Sequence, residues 1–430
     1  MILWQHLYLF VFLLGAGLTL ALTPLCQMLA EATDFMDRPK GEHHKRHGKA
    51  TPLLGGLAMF TGWLIAIAAG YILLKSVNVE SFSKDLTQNL SGVNYVSGKV
   101  FFIVVGAFLA MMLGLLDDKV SLNAGIKFAG QFVIAALAVT LGGVKISFFF
   151  NDPVIIWCLS VFWIMLLINA INFFDNMDGL AVGTVTIAIA LFAAVAALNQ
   201  QYFMAVLGAL TCGIGVGFWF FNHSPATIFM GDSGSHFLGY VLAVMSAGVT
   251  FFSRDYSLTR FPALIPLFIL AIPLFDTLAV VLIRLRNHKP IYIGDHNHLS
   301  HRFVKMGMSH KRAVQMVHLL VLIIGLSVLP LLWGEFRIAV VIVVQAALML
   351  LFISLIQYAV TGDKERTHHH DKAEKSEEIK SLNNIDYALE YEQLDTLMDE
   401  AYEKPRKPRR KKYYKSHHKK KFDDTLNSTF

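Results

Sequence analysis

Charge is what this chain has little of: 16% of its 430 residues are Asp, Glu, Lys or Arg, while 55% are hydrophobic. That is too little polar surface to coat a soluble globule of this length, so the bilayer is its natural solvent. Cysteine is scarcer still. Cys26, Cys158 and Cys212 lie far apart, in or beside apolar stretches, which excludes the paired spacing of a zinc or redox site and leaves small core residues. Absent too is any Lys or Arg ahead of the first apolar stretch, Leu3 to Leu22. That stretch is too long for a cleaved leader and reads as a retained first span.

What the chain does have is apolar runs long enough to cross about 30 Å of hydrocarbon. Eleven candidates lie near 3–26, 52–74, 100–116, 126–141, 154–171, 179–198, 202–221, 236–252, 262–283, 314–333 and 338–360. The expected fold class is therefore all-α, a polytopic membrane protein with 10–11 transmembrane helices. Alternate threading puts 30 of the 37 Lys and Arg residues on one face. By the positive-inside rule that face is cytoplasmic, with the N-terminus outside and the C-terminus inside.

Threading also sends the polar segments 27–51, 117–125, 172–178, 222–235 and 285–313 to that same face. Asp117 and Asp118 follow an apolar run directly, at a membrane edge where adjacent carboxylates are costly without a compensating cation. Lys127 and Gln131 stand at i, i+4 on one helical face, able to pair with a carboxylate or reach a phosphate. Asn172, Asp175 and Asn176 share one face of a turn ended by Asp178-Gly179, an oxygen-rich set that suits a hard divalent ion and a ribose or pyrophosphate. Between Asn222 and Ser235, Gly231 and Gly234 allow close backbone approach. The first turn of the following helix offers its amide end to an anion, which a metal on Asp232 would bridge. Finally, His296, His298, His301 and Arg302 crowd into seven residues, followed by Lys305, Lys311 and Arg312. With no cysteine alongside, this positive cluster suits a diphosphate better than zinc.

With these residues in view, the chain resembles the polyprenyl-phosphate N-acetylhexosamine-1-phosphate transferases. The motifs stand in family order over residues 1–360: Asp37-Arg38-Pro39, His47 to Pro52 leading to Gly55-Gly56, Asp117-Asp118, Asn172 to Gly179, Phe229 to Ser235 and Asp295 to Arg302. The loop after the first span and the histidine loop look closest to the undecaprenyl-phosphate N-acetylglucosamine-1-phosphate branch. The resemblance implies catalytic roles for Asp117, Asp118, Asp175 and His298. It places His47, Lys49, Lys127, Asn172, Asp178, Asn222, His301 and Arg302 at the substrates, with Asp232 and Asp175 on magnesium, for which manganese can substitute. Two positions depart from the pattern. Ser300 stands where many members carry another His, and Asn176 replaces the common Gly.

The implied partners are a UDP-N-acetylamino sugar and undecaprenyl phosphate, with homodimer formation compatible, at the inner (plasma) membrane. The implied reaction passes a sugar 1-phosphate to the lipid phosphate and expels UMP. A phospho-N-acetylmuramoyl-pentapeptide transferase is the nearest alternative. A transporter is the alternative of another class, disfavoured because polar clusters sit at one face rather than at the midplane. Residues 361–430 change character to a charged, disordered cytoplasmic tail. Its block 404–421 holds eleven Lys or Arg and no acid, suited to anionic lipid headgroups rather than to a specific nucleic acid.

Overall fold

The computed structural model describes residues 2–38, 50–76, 93–146, 150–251, 261–288 and 298–355. All fall within one contact unit, Met1–Thr361; the tail expectation, like His47 and Lys49, lies outside the described residues.

In its described residues, each of the eleven apolar runs is mainly helical. They form α1 (Ile2–Ala32), α2 (Gly55–Ser76), α3 (Val93–Val120), α4 (Ala124–Thr140), α5 (Pro153–Phe174), α6 (Leu180–Leu198), α7 (Tyr202–Asn222), α8 (Gly231–Gly248), the pair α9 (Ile265–Ile269) and α10 (Ala271–Arg286), α12 (His310–Ser327) and α13 (Phe336–Leu355). A short helix, α11 (Leu299–Lys305), precedes α12. Eight of the described helices are long and apolar enough to cross a membrane by themselves, or nine with the bent pair taken as one span. The fold is an all-α polytopic membrane protein; its described strands are the two-residue pair Met36–Asp37 and Thr51–Pro52.

Three of the eleven runs depart from a plain span, each for a physical reason. At 17 residues, α4 is short. Near Leu270 the 262–283 run bends by 67°, where Pro273 has no N–H to give the Ile269 carbonyl one turn back. The third, α8, carries Asp232, Ser233, Ser235, His236, Tyr240 and Ser246, yet its residues from Ser233 to Ser246 are all buried. It packs against α2, α3, α5 and α6, so protein rather than lipid is its solvent and it need not be apolar. Outward-facing Phe10, Leu13, Ile72, Phe101, Phe162 and Phe352 are exposed, as a lipid-facing belt requires.

Helix starts follow local chemistry. Asp152 accepts from the N–H groups of Val154 and Ile155 at 2.9 and 3.0 Å ahead of Pro153 at the first position of α5, and Asn123 caps α4 through Gly125 at 2.8 Å. Small residues let the central helices approach closely. A Cβ on Gly114 of α3 would run into the Asp232 carbonyl of α8, and one on Gly56 of α2 into the Ser233–Gly234 backbone. The N-terminal turn of α8 is thus gripped from two sides. Gly114→Ala is expected to cost about 1–3 kcal/mol and to lower the melting temperature in detergent. Gly70→Ala, which meets nothing within 4 Å, should leave that temperature level or slightly raised, since alanine is the better helix former.

Candidate active site

The described parts of the polar segments that threading sends to one face lie together at one end of the bundle, most of them around the first turn of α8. Gly231 opens that turn at φ +65°, and a side chain there would also strike the Asp118 carboxylate. Asp118, near the end of α3, accepts from the backbone N–H of Asp232 at 2.8 Å and of Ser233 at 3.0 Å. The next amide, Gly234, donates to Met230 O at 3.0 Å. The sequence reading offered this helix end to a substrate phosphate. In the structure its amides are already taken, and the anion they hold is Asp118.

Beside this cap, Lys127 reaches from the first turn of α4 into a set of acids. Its Nζ stands 2.6 Å from Asp117 Oδ2 and 2.8 Å from Asp232 Oδ2, and it donates to Asn172 Oδ1 at 3.3 Å. Asn172 in turn donates to Asp232 Oδ1 at 2.8 Å and to Ser235 Oγ at 3.0 Å, while Asp117 Oδ1 accepts from Leu122 N–H at 2.7 Å. Two helices, α4 and α5, therefore converge on the Asp232 carboxylate, and α3 joins them through Asp117. One turn along α4, Gln131 faces the same way, as the i, i+4 spacing predicts. It accepts from Asn169 Nδ2 at 2.6 Å and lies 3.1 Å from His236 Nε2. His236 Nδ1 donates to the Asp232 carbonyl at 2.6 Å. A carbonyl cannot donate, so Nδ1 carries the proton and the chain of bonds runs His236, Gln131, Asn169.

Asp175 lies just past the end of α5. Its carboxyl is pushed up to about 8, first by burial and then by the Asp232, Asp118 and Asp178 carboxylates. Asp178 accepts from Ala226 N–H at 3.1 Å. Asn222, expected at the substrate, is 3% exposed and braces backbone on both sides: it accepts from Gly179 N–H at 3.1 Å and donates to Ile228 O at 2.9 Å. The segment after the first span joins the same assembly, since Phe229 N–H donates to Pro52 O at 2.8 Å and Gly55 N–H to Phe229 O at 3.1 Å.

The histidine segment is fastened on two sides. Ser300 Oγ donates to Asn176 Oδ1 at 2.7 Å, tying α11 to the Asp175–Asp178 turn. On its other side His298 Nδ1 lies 2.7 Å from Asp276 Oδ2. The His298 and His301 ring centroids are 6.4 Å apart, and Arg302 lies one residue further along α11. Asp276 is the residue that sequence reasoning passed over. Its signal was a single carboxylate inside the apolar run 262–283, where a charge without a function is rare.

Among the described residues no three His, Cys, Asp or Glu side chains converge as a preformed metal cage. The charge balance nonetheless fits a hard cation: Asp117, Asp118, Asp175 and Asp232 are all oxygen donors, and Lys127 spans only two of them. Magnesium is commonly held by one or two carboxylates with substrate phosphates completing its shell. Asp117 and Asp118, neighbours in sequence, separate in role. Asp118→Asn weakens the cap on α8 and is expected to cost about 1–2 kcal/mol, read as a lower melting temperature. Asp117→Asn thins a surplus of acids, leaves Lys127 paired with Asp232, and should shift that temperature far less.

Comparison with known proteins places this geometry. The family model described as glycosyl transferase family 4 matches residues 100–250, the stretch that holds Asp117, Lys127, Asn172, Asp175 and Asp232. A Bacillus subtilis protein named probable undecaprenyl-phosphate N-acetylglucosaminyl 1-phosphate transferase is 33% identical, over 74% of this chain and 84% of its own. A decaprenyl-phosphate N-acetylglucosaminephosphotransferase of Mycolicibacterium smegmatis is 30% identical over 74% and 82%. A phospho-N-acetylmuramoyl-pentapeptide-transferase of Lactobacillus johnsonii is 31% identical over 75% and 98%. Similarity of this extent, centred on the helices that build the acidic cluster, shows that the chain belongs to glycosyl transferase family 4 and is a phosphosugar transferase of the membrane.

Proposed function

We propose that this protein transfers N-acetylglucosamine 1-phosphate, or a related N-acetylhexosamine 1-phosphate, from its UDP-activated form to undecaprenyl phosphate with release of UMP. The step would open a cell-envelope polysaccharide pathway at the cytoplasmic face of the plasma (inner) membrane. The observation that carries the reading is Lys127 Nζ held between Asp117 and Asp232, 2.6 and 2.8 Å away, with Asn172 bonded to both Lys127 and Asp232. Two of the relatives named above support the donor and acceptor classes.

The chemistry joins two anions, so positive charge and fixed geometry are what the protein must provide. An oxygen of the lipid phosphate forms a new bond to the β-phosphorus of the UDP-sugar. The bond from that phosphorus to the bridging oxygen breaks, and that oxygen leaves on UMP with the electron pair. A phosphate monoester has a second pKa of about 6, so the nucleophile arrives largely deprotonated. Asp117 then orients the acceptor or removes a residual proton. Lys127 turns from its carboxylates to the diphosphate oxygens, and the histidine segment adds His298, His301 and Arg302 on the far side. Asp118 works through α8, whose first turn it fixes, and so sets where Asp232 stands. Asp232 and Asp175 are the residues to hold magnesium, which when bound offsets the charge on the pyrophosphate oxygens.

The muramoyl-pentapeptide reading keeps the same centre with a larger donor; what favours it is a relative of that name matched over 98% of its length. Purified protein offered undecaprenyl phosphate with UDP-N-acetylglucosamine, UDP-N-acetylgalactosamine or the muramoyl-pentapeptide donor should release UMP fastest with the first. Preference for the muramoyl donor would replace the proposal with the alternative. Asp232→Ala should abolish turnover while the protein still inserts and folds. Lys127→Met should lower kcat on the order of 100-fold or more.

The raised carboxyl of Asp175 gives a pH dependence whose sign is fixed. With a pKa of about 8 in the cation-free protein, Asp175 holds a proton at neutral pH. A magnesium ion that uses this carboxylate must expel that proton. Apparent magnesium affinity should therefore rise as pH climbs from 6 towards 8 and level off above, up to about tenfold per pH unit. Calorimetric titration in buffers of different ionisation enthalpy would read the released proton directly, and a flat profile would remove Asp175 from the cation site.

A further inference from the structure

Asp276 has no part in the chemistry above, yet it is the most deeply enclosed acid near the cluster. It sits on α10 at 2% exposure, within a helix that is otherwise uncharged up to Arg284. Both of its oxygens are committed to one short stretch of chain. Oδ2 lies 2.7 Å from His298 Nδ1, and Oδ1 accepts from Leu299 N–H at 2.6 Å. His298 is itself 5% exposed and stands at the entry of α11 with no side-chain cap of its own. On its other side the segment is fastened by Ser300 to Asn176, next to Asp175.

A backbone tether alone would need only the bond to Leu299. The second oxygen goes to the imidazole, and an ionised carboxylate can only accept. Nδ1 of His298 must then carry a proton, and Nε2 becomes the polar atom the ring has to offer. Held by Asp276 from the membrane side and through Ser300 from the turn, the ring has little freedom to rotate. Such carboxylate–imidazole pairs set tautomer and direction wherever a histidine must meet a ligand with one chosen nitrogen. We propose that Asp276 is a positioning residue that acts through His298, keeping the Nδ1–H on its carboxylate so that Nε2 is turned to the donor diphosphate, to which it donates as the second N–H of the protonated ring. The part that concerns the diphosphate rests on the function proposed above; the pairing itself does not.

Two measurements separate those parts. In the wild-type protein labelled with 15N-histidine in detergent, the resonance that disappears in His298→Ala should report a protonated Nδ1, although a free neutral imidazole prefers the proton on Nε2. An unprotonated Nδ1 at His298 overturns the proposal, and this arm needs neither substrate nor an Asp276 variant. In turnover, Asp276→Asn should lower kcat about 10–100-fold with the KM for the UDP-sugar changed less than about threefold. The double variant Asp276→Asn/His298→Ala should be no slower than His298→Ala alone. If the two losses instead multiply, Asp276 acts independently of the ring and the proposal fails. Absence of turnover with every UDP-sugar would count against the proposed function and leave the decision on Asp276 with the nitrogen measurement.

Discussion

The hold of Asp118 on the first turn of α8 is the interaction on which the rest of the site depends. A helix that crosses the centre of a membrane protein while carrying Asp232, His236 and three serines needs neighbouring protein to satisfy most of its polar atoms; the buried Tyr240 hydroxyl is the exception on this helix. Asp118 supplies acceptors to two N-terminal amides. Gly114 and Gly56 let α3 and α2 come close enough for this to happen. His236, Gln131 and Asn169 extend the satisfied network inward from the Asp232 carbonyl. Asp232 is therefore not a loose carboxylate at a loop tip. It is fixed at its backbone by one helix and at its side chain by two others, the preorganisation that electrostatic catalysis requires.

That rigidity leaves an electrostatic imbalance. Lys127 bridges Asp117 and Asp232, and burial first, then the neighbouring carboxylates, push the Asp175 carboxyl up to about 8. A surplus of buried acid is costly for folding alone. Under the function proposed above that surplus would be offset by a cation entering together with an anionic substrate, since the pair is nearly neutral. The pull of that imbalance, rather than a preformed cage of ligands, is the basis for expecting a divalent ion here.

Much of this was legible in the sequence because hydrophobic run length and Lys/Arg asymmetry are coarse signals that survive local detail. In its described residues each of the eleven apolar runs is mainly helical, and the described parts of those polar segments lie together at one end of the bundle. What the sequence left out shares a cause, which is that sequence shows which groups are present but not which partners they hold. Asp118 reads as one of an acid pair, and the fold adds that its oxygens accept from the amides of Asp232 and Ser233. The amide end of α8 reads as open to an anion until that carboxylate is found on it, and Asn222 proves to hold backbone with both ends of its amide. Asp276 was hidden for the opposite reason. A lone acid in an apolar run has no motif around it, and its partner lies 22 residues further along the chain, beyond the end of α10.

The two departures from the family pattern lead to the same conclusion from another side. Taken along the chain, Asn176 and Ser300 are unrelated substitutions 124 residues apart, each a small weakening of its own motif. In the fold the Ser300 hydroxyl donates to the Asn176 carbonyl oxygen at 2.7 Å. A glycine at 176 would offer no side-chain acceptor there. A histidine at 300 would bring a larger ring to a position that is now 1% exposed. The asparagine and the serine thus fit each other in chemistry and in volume, and together they join the acidic turn to the histidine segment. Read as one bond, they preserve what the pattern needs, which is a fixed distance between the acidic turn and the histidine segment.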